Sequence, residues 1–387
     1  MPRLTTFYRD VRVLRAAGQV VFLMAIAAGI WWLLGNLRTN LEMSGLNIGF
    51  RFLGETAGFP ISEGIAYDPT DVNGYAFWVG IVNTVRVAAL GIVLATILGT
   101  FFGIARLSGN WLVRKLAALY VETVRNIPLL VQLFFWYFAV MLTALPLVEN
   151  SLRLPGPIYL NRRGLYMPWP VPMESFSVWI WYIAGGLALA VAAYVVRRIQ
   201  LKRADRPGFP IVWAVAAFAV IVIVGWFLAP GSPMVLDVPI FERFNFAGGL
   251  WLSTSFLALV LGLSTYTGAF IAEIVRAGIL AVGKGQKEAA RALGLRRSRV
   301  LRLVVLPQAL PVIIPPLTNQ YLNLAKNSSL VILIGYYDLF NVGTTIFNKT
   351  GRAIEMILVI MASYLSMSLM TSLAMNAYNR RKRLAEP

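Results

Sequence analysis

Apolar residues in this chain run in long unbroken stretches, without the alternation of a half-buried strand or the three-to-four rhythm of a surface helix. Eight stretches stand out: residues 20–34, 75–105, 129–145, 177–196, 210–228, 248–275, a seventh from about residue 305, and 353–377. Crossing about 30 Å of hydrocarbon takes roughly 20 helical residues, so the pattern predicts eight transmembrane helices. The connections are of two kinds. Residues 36–74, 146–172 and 229–246 are rich in glycine, proline, aromatics or acids and read as external, with residues 46–53 expected to lie along the outer membrane surface as a short amphipathic piece. Residues 106–125 and the link after the fourth stretch are basic and read as internal. A new element starts at Asn126-Ile127-Pro128, because proline disfavours helix in the residue before it. A further polar segment, 335–351, joins the last two spans.

Composition agrees. With 58% hydrophobic and 13% charged residues the chain is too apolar for a soluble globule, and it reads as an integral membrane protein. A formal charge of +18 would point to nucleic acid in a soluble chain, but the distribution of the 35 Lys and Arg says otherwise. They gather at Arg3, Arg9, Arg12 and Arg15, at 106–125, at Arg197, Arg198, Lys202, Arg203 and Arg206, at 276–302 and at 380–383. The positive-inside rule then puts both termini in the cytoplasm. The charge reads as topology plus contact with anionic lipid, and no nucleic acid partner is expected. Ala25-Ile26-Ala27 resembles a signal-peptide cleavage site, but the apolar run continues past it through Trp31 and Trp32, so the first helix is kept. The chain has no Cys and no His, which excludes disulfide frameworks, Cys/His zinc sites and histidine acid/base chemistry.

Polar residues inside the spans are costly in lipid and usually face a cavity. Asn83, Thr84, Gln132, Thr265, Tyr266, Gln320, Asn323, Asn327, Ser328 and Ser329 form that set. Taken singly, each suits an interhelical hydrogen bond. As a group, beside Pro307, Pro311, Pro315 and Pro316 in the seventh span, they suit a polar path for a zwitterionic solute, since a broken helix offers free N–H and C=O groups. Glu273 and Arg276 are one helical turn apart and are expected to pair. Lys326 can meet a carboxylate or snorkel outward. Gly99-x-x-x-Gly103 permits close helix approach but is weak evidence by itself. The run from Gly278 to Gly285 nearly fits a phosphate-binding loop, yet it lacks the final Ser or Thr and follows a membrane helix where a strand is required.

The most specific stretch is residues 288–307, EAARALGLRRSRVLRLVVLP. Glu288, Ala289 and Ala290 favour helix, Gly294 can end it in the left-handed conformation, and arginines alternate with Leu295, Val300, Leu301 and Val304 at near-helical spacing. A short helix, a turn and a second helix follow. The order E-A-A, Gly294, then Val304-x-Leu306-Pro307 resembles the EAA loop of ATP-binding-cassette importer permeases, where Ile is commoner than Val304. Residues 122–135, ETVRNIPLLVQLFF, resemble the polar amino-acid permeases of that class, which usually carry Gly-Thr in place of Asn126-Ile127. AEIVRAGI at 272–279 and LTNQYLNLAKNSSL at 317–330 are similar to the same family. The resemblance covers roughly residues 80–145 and 248–383. The added first span and inserted pair resemble the larger subunit of broad-range L-amino-acid importers.

That resemblance implies an all-α integral membrane protein with about eight helices: a five-helix permease core plus three. The expected division is an N-terminal helix and loop (1–75), the first half of the core (76–145), external loops with the inserted pair (146–247) and the second half of the core with the coupling loop (248–387). It implies a permease in a bacterial inner membrane that imports polar L-amino acids by alternating access. Its partners would be a second permease subunit, an ATPase dimer and a periplasmic amino-acid-binding protein. ATP and Mg would sit on the ATPase, with no cofactor on this chain. Coupling would fall on Glu288, Ala289, Ala290, Gly294 and Leu295, and the solute path on Asn83, Thr84, Gln132, Tyr266, Gln320, Asn323, Asn327, Ser328 and Ser329. Two alternatives stay open at this point. An ion-coupled secondary transporter would need an internal repeat and buried ionisable residues. A membrane-embedded enzyme would need a catalytic cluster built without Cys or His.

Overall fold

The computed structural model describes residues 11–43, 49–204 and 208–382. Arg3, Arg9, Arg206, Arg383 and residues 46–48 of the expected surface piece lie outside them, and the end of that piece falls in one 3-10 turn, Arg51–Gly54. Seven described helices are long and apolar enough to cross a membrane, and a pair bent by 108°, at the third of the eight apolar stretches, brings the number to eight if it forms one span.

Helix α1 (Val11–Met43) leaves almost all its described side chains exposed. Helix α2 (Asn73–Ala105) enters the core. The amphipathic α3 (Trp111–Asn126) opens on Asn110, whose Oδ1 accepts the amides of Leu112 at 2.9 Å and Val113 at 3.3 Å. At Pro128 the chain turns by 108° into α4 (Leu129–Phe134), which runs on as a π-helix over Phe135–Ala144. Proline interrupts the helical bonding there, and Gln132 supplies replacements: its Nε2 donates to the carbonyls of Val124 at 2.8 Å and Ile127 at 3.0 Å.

The loops at 146–172 and 229–253 hold strands that the apolar pattern does not announce. After α4 come β1 (Leu152–Leu154), β2 (Ile158–Asn161), β3 (Gly164–Met167) and β4 (Trp169–Pro172). The inserted pair α5 (Phe176–Arg203) and α6 (Pro210–Leu228) follows, then β5 (Met234–Asp237), β6 (Ile240–Glu242), β7 (Asn245–Ala247) and β8 (Leu250–Ser253). β1-β2-β3-β8 form one antiparallel sheet, and β4-β5 and β6-β7 are two-stranded. Helices α5 and α6 close on each other through Trp179 and Trp226, edge-on at 5.3 Å, and through Gly225 set against Tyr182. The sixth span starts later than residue 248. Gly248 and Gly249 take φ of 80° and 68°, β8 follows, and α7 (Thr254–Ala281) begins where Ser253 Oγ accepts the Phe256 amide at 3.0 Å.

Beyond α7 come α8 (Lys284–Ala292), α9 (Arg297–Val300), a π-turn over Leu301–Val305 and α10 (Leu306–Asn327). A 3-10 stretch, Ser328–Ile334, leads to α11 (Leu339–Thr350), a helix within the polar segment 335–351, and α12 (Ala353–Lys382) closes the fold. The core is a seam between α2 and α7. A Cβ on Gly99 would lie 2.4 Å from Ile271 Cγ2, and one on Gly103 2.7 Å from the Ala272 carbonyl, so the GxxxG pair is a true helix contact. α10 joins the seam through Thr96 and Tyr321, whose hydroxyls meet at 2.8 Å, and through Ile313 against Gly278.

Candidate functional site

Between α7 and α10, α8 and α9 form the helix–turn–helix that the sequence predicts. The Gly294 amide donates to the Arg291 carbonyl at 2.9 Å, and Gly294 takes φ of 77°. No neighbour crowds Gly294, so glycine is needed there for its backbone conformation. Ala290 is buried and Leu295 half-buried against Val300 and Val305, which ties α8 to the start of the α10 segment. Glu288 and Ala289 face outward. Leu293, absent from the predicted set, is 81% exposed at the turn. The signal for it was a leucine directly before a helix-ending glycine, where no intrahelical mate covers it. Next to this unit Glu273 pairs with Arg276, as expected, and also with Arg106, which reaches Glu122 at 3.4 Å. The near phosphate loop is no loop: Gly278 sits inside α7 against Ile313, and Gly283 precedes α8.

The second feature is one face of α10. Val312, Pro315, Pro316, Asn319, Asn323 and Lys326 are all exposed on it, at helical spacing, within a segment long and apolar enough to cross the membrane. Prolines at 311, 315 and 316 remove the usual donors from the carbonyls of Pro307, Pro311 and Val312. Amides, a lysine and freed carbonyls on one uncovered membrane face need water or another protein beside them. On the α7 side of this face Tyr266, Gln320, Asn323 and Asn327 line a cavity of about 190 Å³ with Thr267 and Phe270. Phe270 in turn carries the Arg125 guanidinium at 5.0 Å.

The other polar residues of the predicted path lie apart from this cavity. Asn83 is buried and donates to the carbonyls of Glu63 at 3.1 Å and Tyr337 at 2.9 Å. Thr84 Oγ accepts the Leu339 amide at 2.9 Å, and Ser328 donates to the Ala325 carbonyl at 3.0 Å. Gln132 holds the α3–α4 bend, and Thr265 bonds its own helix at Leu261. Ser329 borders a separate cavity between α10, α11 and α12. The structure thus brings four of the nine together.

Asp338 was not singled out, although an Asp before a helical run is an N-cap signal. Its Oδ1 accepts the Asn341 amide at 2.8 Å, opening α11. Burial pushes its carboxyl up to about 7, against the opposing hydrogen bonds from Asn341 and Ser328. Burial also raises the Tyr336 phenol and the Glu63 carboxyl, the latter eased by Ser253 and Arg86. Through Ser328 with Asp338, and through Asn83 and Thr84 with residues 337–339, this cluster links the end of α10 to α2.

A family model described as the binding-protein-dependent transport system inner membrane component matches residues 184–384. The chain is 46% identical over 374 residues to the general L-amino acid transport system permease protein AapQ of Rhizobium johnstonii, covering 95% of this chain and 92% of that one. It is 45% identical over 379 residues to the putative amino-acid ABC transporter permease protein YhdX of Escherichia coli K12, covering 95% and 94%. The crystal structure of an amino acid ABC transporter with histidines aligns with a TM-score of 0.48 at 23% identity, covering 80% of this chain and 94% of that one.

Proposed function

The chain belongs to the binding-protein-dependent transport system inner membrane components, and from that premise we propose that it imports polar L-amino acids, driven by a cytoplasmic ATPase seated on the α8–α9 turn. It is a multi-pass inner-membrane permease subunit of an ATP-binding-cassette system, a transport component and not an enzyme. Members of this family act with an ATPase and a binding protein. The observation that carries the coupling role is the projecting turn. Leu293 is 81% exposed beside outward-facing Glu288 and Ala289, a shape that suits a groove on a partner. Because Ala290, Leu295 and Val300 root the turn in the α10 segment, a pull on it reaches the membrane helix directly. ATP and Mg belong to the partner, and this chain holds no cofactor.

The open face of α10 supports a path between two permease subunits, the second a different chain of the same class. The amides of Gln320, Asn323 and Asn327 offer donors and acceptors to a zwitterion. Both termini lie in the cytoplasm, on the side of α8, and the basic inner surface contacts anionic lipid. No nucleic acid takes part. The test is to co-express the importer with Leu293→Asp in this chain, then measure ATPase recovered with the membrane subunits and glutamine uptake. Both are expected to fall at least tenfold. ATPase recovery at the unmodified level defeats the docking role.

A further inference from the structure

The open face of α10 lies between two cavities of opposite chemistry. Toward α7 the smaller one, about 190 Å³, is walled by Tyr266, Thr267, Phe270, Gln320, Asn323 and Asn327, with no charged group among them. Toward α11 and α12 lies one of about 370 Å³, walled by Phe340, Ile360, Met361 and Tyr364, with Lys326 and Ser329 on its α10 edge. Lys326 is exposed, and among the described residues no carboxylate lies within ion-pair distance of it. Lys326 belongs to a segment long and apolar enough to cross the membrane, where an ammonium without a counter-charge is expensive and an anion that arrives and leaves is a partner that relieves it.

Resting on the reading of α10 as the path wall, we propose that Lys326 holds the α-carboxylate of the passing amino acid while the two cavities sort its side chain. Polar side chains enter the amide cavity, and aliphatic or aromatic ones enter the Met361 cavity. The carboxylate is the group all amino acids share, so one anchor serves them all. Asn323 and Lys326 are one helical turn apart, with side chains about 5–6 Å from each other, within reach of a single amino acid. Amides donate and accept, so the smaller cavity takes a carboxamide, a carboxylate or an ammonium, whereas a fixed charge would reject one sign. A single pocket suited to both glutamine and leucine would have to leave polar groups unpaired for one of them.

The test uses the complete importer in proteoliposomes, with glutamine and leucine uptake measured side by side. Lys326→Met is expected to lower kcat/KM at least tenfold for both solutes, and Lys326→Arg to restore both to within threefold. Asn323→Leu is expected to raise the leucine-to-glutamine ratio at least tenfold. Met361→Trp, which fills the larger cavity, is expected to lower that ratio at least tenfold, with Ile360→Phe as the filling variant should Met361→Trp fail to accumulate in the membrane. Full uptake of both solutes by Lys326→Met overturns the anchor. A ratio within twofold of the unmodified importer in every cavity variant overturns the sorting, as does an unmodified importer that moves glutamine and no apolar amino acid. An unmodified importer that moves neither solute defeats the underlying reading of the path as well.

Discussion

Helices α7 and α10 lie side by side and meet the membrane in opposite ways. α7 is buried along most of its length, and small residues let α2 and α10 approach it closely: Gly99 and Gly103 on α2, and its own Gly278 against Ile313. α10 hides Ala309, Ile313, Ile314 and Leu324 on one side and leaves prolines, asparagines and a lysine open on the other. Water does not drive helices together within a bilayer, so a tight seam comes from backbone approach and a passage from withholding it. The closed helix has its neighbours in this chain, and the open one has a face still to be covered.

The comparison can be broken at the seam first. Gly99→Val places methyl groups where Ile271 already sits, and destabilisation of about 3 kcal/mol or more is expected, read as lost thermal stability of the purified subunit. Asn319→Val on the open face is expected to leave that stability nearly unchanged. Equal losses would erase the distinction.

The Asp338 cluster at the end of α10 gives the next effect. Burial raises the Asp338 carboxyl from an ordinary 3.8 to about 7, so its neutral form is the one the fold favours. That stabilisation is complete below the ordinary value and is lost as pH rises through about 7. Melting temperature is therefore expected to fall between about pH 4 and about pH 8, and Asp338→Asn, which keeps an oxygen for the Asn341 amide, to flatten that slope.

Gly294→Val comes third. A branched residue at φ of 77° costs roughly 1–2 kcal/mol, confined to the projecting turn. ATPase recovery is expected to drop about tenfold while membrane abundance holds. The smallest effect is Gly91→Ala. Its Cβ would lie 3.2 Å from the flexible end of Leu324, and a change under about 1 kcal/mol is expected because that side chain can shift.

Much of this architecture is legible in the sequence. The spans follow from unbroken apolar runs, the α8–α9 turn from helix formers ending at Gly294, and the Glu273–Arg276 pair from its spacing. The proposed solute path is only partly legible, because the partner of a buried amide is set by helices distant in the chain. Nothing local separates Asn83, committed to the carbonyls of Glu63 and Tyr337, from Asn323, which stays open. The short strands are hidden for a related reason. β1 and β4 are exposed along their length, so no inside–outside alternation marks them, and the partner of β4, β5, lies beyond the whole inserted helix pair.

Gly164 pairs with Ser253, and Met167 with Leu250, so the polypeptide departs from the bundle and comes home through a single doorway. Residues 168–249 are an excursion from that pairing, tied back to the sheet by Phe246 stacked on Tyr159 at 4.5 Å and by Asn245, which accepts from the Tyr166 hydroxyl at 2.8 Å. Facing antiparallel strands can be joined by a turn of about two residues. Such a turn between Met167 and Leu250 would remove α5 and α6 together and leave the β3–β8 pairing in place.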